Sequence, residues 1–252
     1  RLDSRLFAKT GAIGDGSRRD VPAGGIAGSV EDAFFTHLDK TEPAVSGVSL
    51  KVDPGGYVAI VGPSGAGKTT LVDLLLGLYD PQSGSVRLAG RDPRLLREES
   101  PGLLSYVPQR PGIVSGTIAQ NVALGVPQDL IDVEGVYEAL NKAQLGELIA
   151  SLPEGVNSSL GSHSDSLSGG QIQRLGLARA LYSNPRLVIL DEATSALDAA
   201  TEASISDSIR NLGSEATVIV IAHRLSTIQH ADVVYVMEDG KILASGTFPE
   251  VR

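Results

Sequence analysis

Apolar residues recur along the chain in two patterns, and their order predicts a mixed α/β domain. Strand-like stretches at 29–37, 44–52 and 57–62 are separated by turn residues. Further along, the runs 186–191 and 216–223 are apolar almost without a break. Continuous apolar runs are typical of strands that are buried on both faces of a parallel sheet. The pattern therefore predicts antiparallel strands followed by α/β units.

Helical spacing of apolar residues fills the segments between these strands. Residues 68–80 carry leucines at helical spacing, and further helices are predicted at 170–183 and 199–212. The middle region, roughly 111–165, contains helical stretches broken by Pro and Gly. Near the end, residues 231–246 alternate around an Asp-Gly pair, which is a strong hairpin signal. A helical insert is therefore expected between the antiparallel strands and the last α/β units.

The N-terminal residues differ in composition from the rest. Residues 10–29 are rich in Gly, Ser, Asp and Arg without a sustained apolar period, which is typical of a flexible linker. The chain begins with Arg1 rather than Met, so we expect it to be a piece of a longer polypeptide. We interpret residues 1–28 as a linker or the tail of a preceding domain, and residues 29–252 as one folded domain.

Charge and composition exclude several classes of function. The formal net charge is -9 and the pI is about 4.9, which argues against a nucleic-acid partner. The chain has no cysteine, so disulfides and thiolate metal sites are excluded. Its longest apolar runs fall far short of the roughly 20 residues that a membrane-spanning helix needs.

A phosphate-binding loop is predicted at 61–70, VGPSGAGKTT, where the spacing G-x-x-x-x-G-K-[ST] lies between a strand and a helix. Its glycines let backbone N–H groups wrap a polyphosphate, and the start of the helix adds positive potential. The Lys68 side chain would reach the β- and γ-phosphates, and the Thr69 hydroxyl would bind Mg²⁺. A glycine-rich turn without a ligand is the alternative, and the flanking strand and helix argue against it. The predicted nucleotide-binding residues of this loop are Gly62, Ser64, Gly65, Ala66, Gly67, Lys68, Thr69 and Thr70.

A pair of carboxylates supplies the second part of a nucleotide site. Asp191 ends the apolar run RLVILD, and Glu192 follows directly. Asp191 is predicted to hold Mg²⁺ through water, and Glu192 to accept a proton from the water that attacks the γ-phosphate. An acidic pair after an apolar run is by itself common and solvated. Its combination with the phosphate loop predicts nucleotide hydrolysis.

Two adjacent glycines, Gly169 and Gly170, open a predicted helix within LSGGQ, residues 167–171. A glycine pair lets a backbone approach a phosphate closely, yet no lysine follows it here. With this signature and the phosphate loop, the chain resembles the nucleotide-binding domain of ABC transporters of the exporter type, over about residues 29–252. The resemblance implies an α/β fold: a P-loop NTPase core with a mostly parallel sheet, an N-terminal antiparallel β subdomain, and a helical signature-motif subdomain at roughly 111–180.

The resemblance also answers why the glycine pair has no lysine of its own. In that family two domains dimerise head to tail, and the signature of one caps the ATP held by the phosphate loop of the other. Ser168, Gly169, Gly170 and Gln171 are therefore expected to contact a nucleotide on a partner domain.

Other family motifs lie at the expected places. Gln109 in YVPQRP resembles the residue that binds Mg²⁺ and senses the transport domain, so it is expected to serve both catalysis and metal binding. Asp198 in SALD resembles an interface residue of the dimer. His223 in VIAHRLSTI resembles the histidine that contacts the γ-phosphate, and a capping histidine at a strand end is its alternative.

Two places depart from the family pattern. Exporter domains commonly carry GERG before the signature, but residues 161–164 are GSHS, without the acid-base pair, so the resemblance leaves coupling through that loop open. The aromatic residue that stacks on adenine is usually Tyr, and the matching position holds His37. Phe35 lies two residues earlier on the same strand face, so either ring, or neither, is open as the stacking group.

The resemblance predicts an ATP-binding and ATP-hydrolysing domain that powers export or flipping of an unidentified substrate, with ATP and Mg²⁺ as cofactors. The expected partners are a second such domain, in a homo- or heterodimer, and a membrane domain N-terminal in the same polypeptide. The expected location is the cytoplasmic face of a membrane. The alternative is a soluble ABC ATPase acting on DNA or ribosomes. Only roughly sixty residues, without heptads, separate Gln109 from the signature, and the acidic pI also weighs against that alternative.

Overall fold

A computed structural model describes residues 24–161, 167–191, 209, 215–222 and 224–252. Several sequence-based predictions fall outside these residues. They concern Glu192, Asp198, His223, the first 23 residues, positions 162–164 of the loop before the signature, and most of the helix predicted at 199–212.

The N-terminal part forms a three-stranded antiparallel sheet. Strand β1 (Gly28–Phe35) lies in the middle, between β2 (Val45–Val52) and β4 (Ser83–Leu88). The inward residues of each strand alternate with exposed ones, which is the pattern expected of a sheet with one solvated face. The segment between β2 and β4 leaves this sheet to form a strand and a helix of the central layer.

A six-stranded sheet forms the centre of the domain, in the order β11-β10-β3-β9-β8-β5. All neighbouring pairs are parallel except β10 and β11, which form the predicted hairpin. The strand β9 is buried along its whole length, as its unbroken apolar run predicts. The six strands are β3 (Tyr57–Val61), β5 (Leu104–Val107), β8 (Leu187–Asp191), β9 (Thr217–Ile221), β10 (Val233–Glu238) and β11 (Lys241–Gly246).

Helices cover both faces of this sheet, and a short antiparallel pair of strands, β6 (Gly116–Thr117) and β7 (Ser159–Leu160), lies in the middle region. The described helices are α1 (Lys68–Leu75), α2 (Pro93–Glu99), α3 (Ile118–Val122), α4 (Val133–Lys142), α5 (Gly146–Ser151), α6 (Gly169–Tyr182), α7 (Leu225–Ile228) and α8 (Phe248–Val251). The predicted fold class, a mostly parallel α/β core with an antiparallel sheet and a helical insert, is confirmed.

The central sheet separates two apolar cores. Ile189 faces α1 and the antiparallel sheet, whereas its neighbours Val188 and Leu190 face the helices α3 to α6. Because these strands are parallel, their carboxyl ends lie at one edge of the sheet, where β3 leads into the loop before α1. Ligands of open α/β sheets bind at this edge, so the fold itself indicates where a site is expected.

Candidate ATP-binding site

The loop between β3 and α1 has the backbone shape that the phosphate-loop pattern predicts. Gly67 adopts φ 96° at the start of α1, in the left-handed region that favours glycine. A Cβ atom at Gly67 would lie 2.0 Å from the carbonyl oxygen of Ala44, and one at Gly62 would lie 1.9 Å from that of Met237. Both glycines are therefore required by close packing of the loop against neighbouring backbone.

The side chain of Lys68 folds back into this loop. Its Nζ donates hydrogen bonds of 2.8 Å to the carbonyl oxygens of Gly62 and Pro63, and the residue is only 7% exposed. A buried ammonium needs such acceptors, because burial of an unpaired charge is strongly unfavourable. The phosphate loop therefore encloses the positive charge of the Lys68 ammonium.

A cavity of about 680 Å³ opens in front of the loop. Most of the predicted loop residues lie on the described wall of this cavity, and Gln109 and Asp191 lie on the same wall. Ala66 is 2% exposed and packs in the core, so it shapes the loop from behind rather than facing the cavity. The described wall residues are His37, Lys40, Ala44, Ser64, Gly65, Gly67, Lys68, Thr69, Thr70, Gln109, Asp191 and Ile221. Lys40 and Ala44, in the connection after β1, carry no motif and were missed by the sequence-based prediction.

The Asp191 carboxylate lies on the same cavity wall as Lys68. Asp191 ends β8 at the cavity, and its Oδ2 accepts a hydrogen bond of 3.1 Å from the Tyr106 hydroxyl. Burial, followed by the charge of Asp191, raises the pKa of the Tyr106 phenol well above its usual value. Burial also raises the pKa of Asp73 on α1; the charge of His37 opposes this rise, and that of Asp191 adds to it. The site therefore has a cationic loop and an acidic edge facing one cavity.

His37 lies just beyond β1 on the cavity wall. Its Nε2 is 3.1 Å from the Thr70 hydroxyl oxygen, and its ring meets Phe35 edge-on with centroids 5.0 Å apart. Phe35 is 9% exposed and stacks on Tyr79 at 4.9 Å within the core. Of the two candidate rings, His37 lies on the described wall of the cavity and Phe35 does not. Tyr79 was missed by the sequence-based prediction as a support of this cluster.

The predicted signature forms the start of α6. The Ser168 side chain caps the helix by accepting from the backbone N–H of Gln171, and the Gln171 side chain accepts from the backbone N–H of Ser168 at 2.7 Å. Ser168 and Gly169 are exposed, and a Cβ at Gly169 would meet nothing within 4 Å. Among the described wall residues of the cavity, none comes from 167–171. The structure does not bring these residues to the phosphate loop of the same chain.

The helix α6 is tied to the segment that follows Gln109. Gln173 Nε2 lies 3.4 Å from the Gln109 carbonyl oxygen, and the Arg179 guanidinium donates to the carbonyl oxygens of Gly112 and Asn121 at 2.9 and 2.8 Å. Burial lowers the pKa of Arg179. Gly176 faces this segment so closely that a Cβ would lie 2.3 Å from Pro111 Cγ. The loop carrying Gln109 therefore has little room to move independently of α6.

Comparison with known proteins decides the family. A family model described as ABC transporter matches residues 45–195, which is more than half of the chain. The chain belongs to the ABC transporter family. The match includes the phosphate loop, Gln109, the signature and Asp191, which are the residues that carried the resemblance in the sequence.

Curated relatives and a solved structure of ABC transporters extend the similarity to nearly the whole chain. The chain is 41% identical over 251 residues to the ABC multidrug transporter atrD of Emericella nidulans, which covers 98% of this chain and 19% of that protein. It is 42% identical over 230 residues to the ABC multidrug transporter mdr1 of Aspergillus fumigatus, covering 90% and 17%. A bacterial Atm1-family ABC exporter solved with ATP bound aligns with a TM-score of 0.83 and 35% identity, covering 92% of this chain and 40% of that one.

These similarities confirm the prediction that the chain is an ATP-binding and ATP-hydrolysing domain of the ABC exporter type. The chain spans about a fifth of the length of the curated relatives it matches. In the described part of the chain, no helix has the length and apolar character that crossing a membrane requires.

Proposed function

We propose that this domain drives the export of a substrate through a membrane domain that adjoins it, at the cytoplasmic face of the membrane. The observation that carries the proposal is the single cavity that joins Lys68 and Thr69 of the phosphate loop to Gln109 and Asp191. The names of the curated relatives, ABC multidrug transporters, support export as the coupled process. We further propose that the membrane domain precedes residue 1 in the same polypeptide.

The cavity wall fits a magnesium ion held with the nucleotide. The Thr69 hydroxyl, the Gln109 amide and the Asp191 carboxylate are oxygen-bearing groups on one wall, and Mg²⁺ takes oxygen ligands from one or two carboxylates and from phosphates. When bound, the ion would supply positive charge that offsets the negative charge of the ATP phosphates. Thr69, Gln109 and Asp191 are proposed to hold it.

Lys68 is proposed to bind the β- and γ-phosphates of ATP. In the structure its ammonium donates hydrogen bonds of 2.8 Å to two carbonyl oxygens of the loop, so it lies inside the loop that is proposed to bind the phosphates. Phosphate oxygens would replace these neutral acceptors with ionised ones, so that both partners of each hydrogen bond would carry charge. The backbone N–H groups of Gly65 and Gly67 add donors at the start of α1.

Hydrolysis is proposed to use residues that follow the ends of β8 and β9. Glu192 comes directly after Asp191, whose carboxylate lies on the cavity wall, and is proposed to accept a proton from the attacking water. His223 follows β9 two residues after Ile221, another wall residue, and is proposed to contact the γ-phosphate. Gln109 is proposed to orient the same water.

A second copy, or a similar domain, is proposed to complete the site. Ser168 and Gly169 are exposed and lie away from the described wall of their own cavity, as is required of groups that serve a partner's nucleotide. Gly170, Gln171 and Asp198 are proposed to join them at the interface. The start of a helix favours negative charge, so the γ-phosphate of a partner's ATP suits this end of α6.

Replacement of the proposed base tests hydrolysis and dimerisation together. Glu192→Gln keeps the size of the side chain but removes its capacity to accept a proton, so kcat is expected to fall by about 10²–10⁴. Because ATP still binds, the variant is expected to accumulate as a dimer on size-exclusion chromatography with ATP and Mg²⁺, and as a monomer without nucleotide. Hydrolysis by Glu192→Gln at the wild-type rate would refute the assignment.

A further inference from the structure

A tyrosine outside the sequence motifs contacts the proposed magnesium-binding carboxylate. The Tyr106 hydroxyl donates to Asp191 Oδ2 at 3.1 Å. The register of the sheet sets this contact, because Tyr106 on β5 lies opposite Ile189 on β8 and Asp191 lies two residues further along the same face. The contact thus joins two neighbouring strands at the carboxyl edge of the sheet, beside the cavity.

The Tyr106 hydroxyl is the donor in this contact. A phenol ordinarily loses its proton only at about pH 10, so the hydroxyl keeps its proton at neutral pH. A protonated phenol beside a carboxylate gives a hydrogen bond to a charged acceptor, which is stronger than a neutral one. The ring itself is 36% exposed, so it contributes less to core packing than the buried residues of the same sheet.

A carboxylate that ends a strand can turn about its last side-chain bond, and the direction of its oxygens then varies. A hydrogen bond to one oxygen limits that rotation. Carboxylates that bind metal ions are commonly held in this way, and removal of the supporting group typically lowers metal affinity about 10–100-fold.

We propose that Tyr106 is a positioning residue that holds the Asp191 carboxylate in the orientation needed for magnesium-dependent nucleotide binding. This role rests on the proposed function, in which Asp191 takes part in binding the ion. Tyr106 is not among the described wall residues of the cavity, so its proposed effect on the nucleotide is exerted through Asp191.

The test measures how much Mg²⁺ tightens nucleotide binding. The affinity of AMP-PNP, an ATP analogue that resists hydrolysis, is determined by isothermal titration with excess Mg²⁺ and again with EDTA. For Tyr106→Phe the ratio of the two affinities is expected to fall about 10-fold or more. The affinity in EDTA is expected to stay within about twofold of wild type, because the phosphate loop and the ring of residue 106 are retained. A structural defect of the domain would lower both affinities and leave their ratio unchanged.

Two further variants complete the experiment. Tyr137→Phe removes the same hydroxyl from an exposed tyrosine on α4 and is expected to keep the wild-type ratio. Asp191→Asn is expected to lower the ratio, and adding Tyr106→Phe to it should cause no further loss, because the two residues act through one group.

The outcomes separate this inference from the proposed function. If Asp191→Asn lowers the ratio and Tyr106→Phe leaves it unchanged or raises it, the positioning role of Tyr106 is overturned and the metal role of Asp191 stands. If Asp191→Asn keeps the wild-type ratio, the metal role of Asp191 is refuted, and the positioning role is refuted with it.

Discussion

The contact between Gly176 and Pro111 offers a direct perturbation of the loop that carries Gln109. Gly176 lies inside α6, and a Cβ atom there would lie 2.3 Å from Pro111 Cγ and 2.6 Å from Pro111 Cβ. Ordinary contacts of a Cβ begin at about 3.4 Å, so Gly176→Ala requires a separation larger by 3.4 − 2.3 = 1.1 Å. A proline ring cannot turn aside as a flexible side chain does, so backbone on one side of the contact must move.

The loop is the part expected to move, because α6 is held by its own hydrogen bonds and by burial of Leu175 and Leu177. Overpacking of this size typically costs about 1–3 kcal/mol of stability. Alanine regains about 1 kcal/mol over glycine inside a helix. The net loss is therefore expected to be about 0–2 kcal/mol, which leaves the domain folded. Displacement of a catalytic group by about 1 Å can lower a rate about 10²-fold.

Steady-state ATP hydrolysis and nucleotide affinity, measured on the same preparations, check this prediction. Gly176→Ala is expected to lower kcat by one to two orders of magnitude and to leave ATP affinity measured in EDTA within a few-fold, because the phosphate loop is untouched. Gly112→Ala is the matched control: it lies in the same loop, and its added Cβ meets nothing within 4 Å. Equal kcat values for the two variants would refute the argument that this contact places Gln109.

Two other substitutions test His37 on the cavity wall and the Asp73 carboxylate on α1. If His37 stacks on adenine, His37→Ala should weaken ATP binding by up to about 1–3 kcal/mol and His37→Tyr should tighten it in isothermal titration; equal affinities for the three proteins would exclude His37 as the stacking group. Burial raises the pKa of Asp73, so the folded state favours the protonated acid, and stability is lost as pH rises through that pKa. Asp73→Asn is therefore expected to raise Tm at pH 7, with a gain that shrinks as the pH falls through the raised pKa and is gone below about 4, the ordinary value of an aspartate; a gain that is equal at pH 7 and below about pH 4 would contradict this origin.

The sequence was sufficient to predict the elements that carry the motifs. Two glycines of the phosphate loop lie where the loop packs directly against other backbone. The apolar runs that form β8 and β9 are buried on both faces of the sheet. Such features are local, so they can be recognised without knowledge of the fold. The helix α2 was not predicted, although Asp92 caps it and Pro93 follows at its first position, which together are a helix-start signal.

The contacts made between distant segments could not be predicted. The strand β5 has four residues and was not recognised, and the approach of Tyr106 to Asp191 depends on the register between β5 and β8. The contact of Gly176 with Pro111 likewise follows from packing between parts of the chain that are remote in sequence. Tyr79 has no motif, and only the folded chain brings it against Phe35.

The most direct test of the account concerns the proposed composite site, in which one chain supplies Lys68 and its partner supplies Ser168. Lys68→Ala removes the ammonium from the loop, and Ser168→Arg places a bulky cation at the start of α6. For a homodimer, each variant alone is expected to lose ATPase activity. An equimolar mixture is expected to recover part of it, because one of the two sites in each mixed dimer keeps both intact halves. A mixture as inactive as the two separate variants would contradict the account.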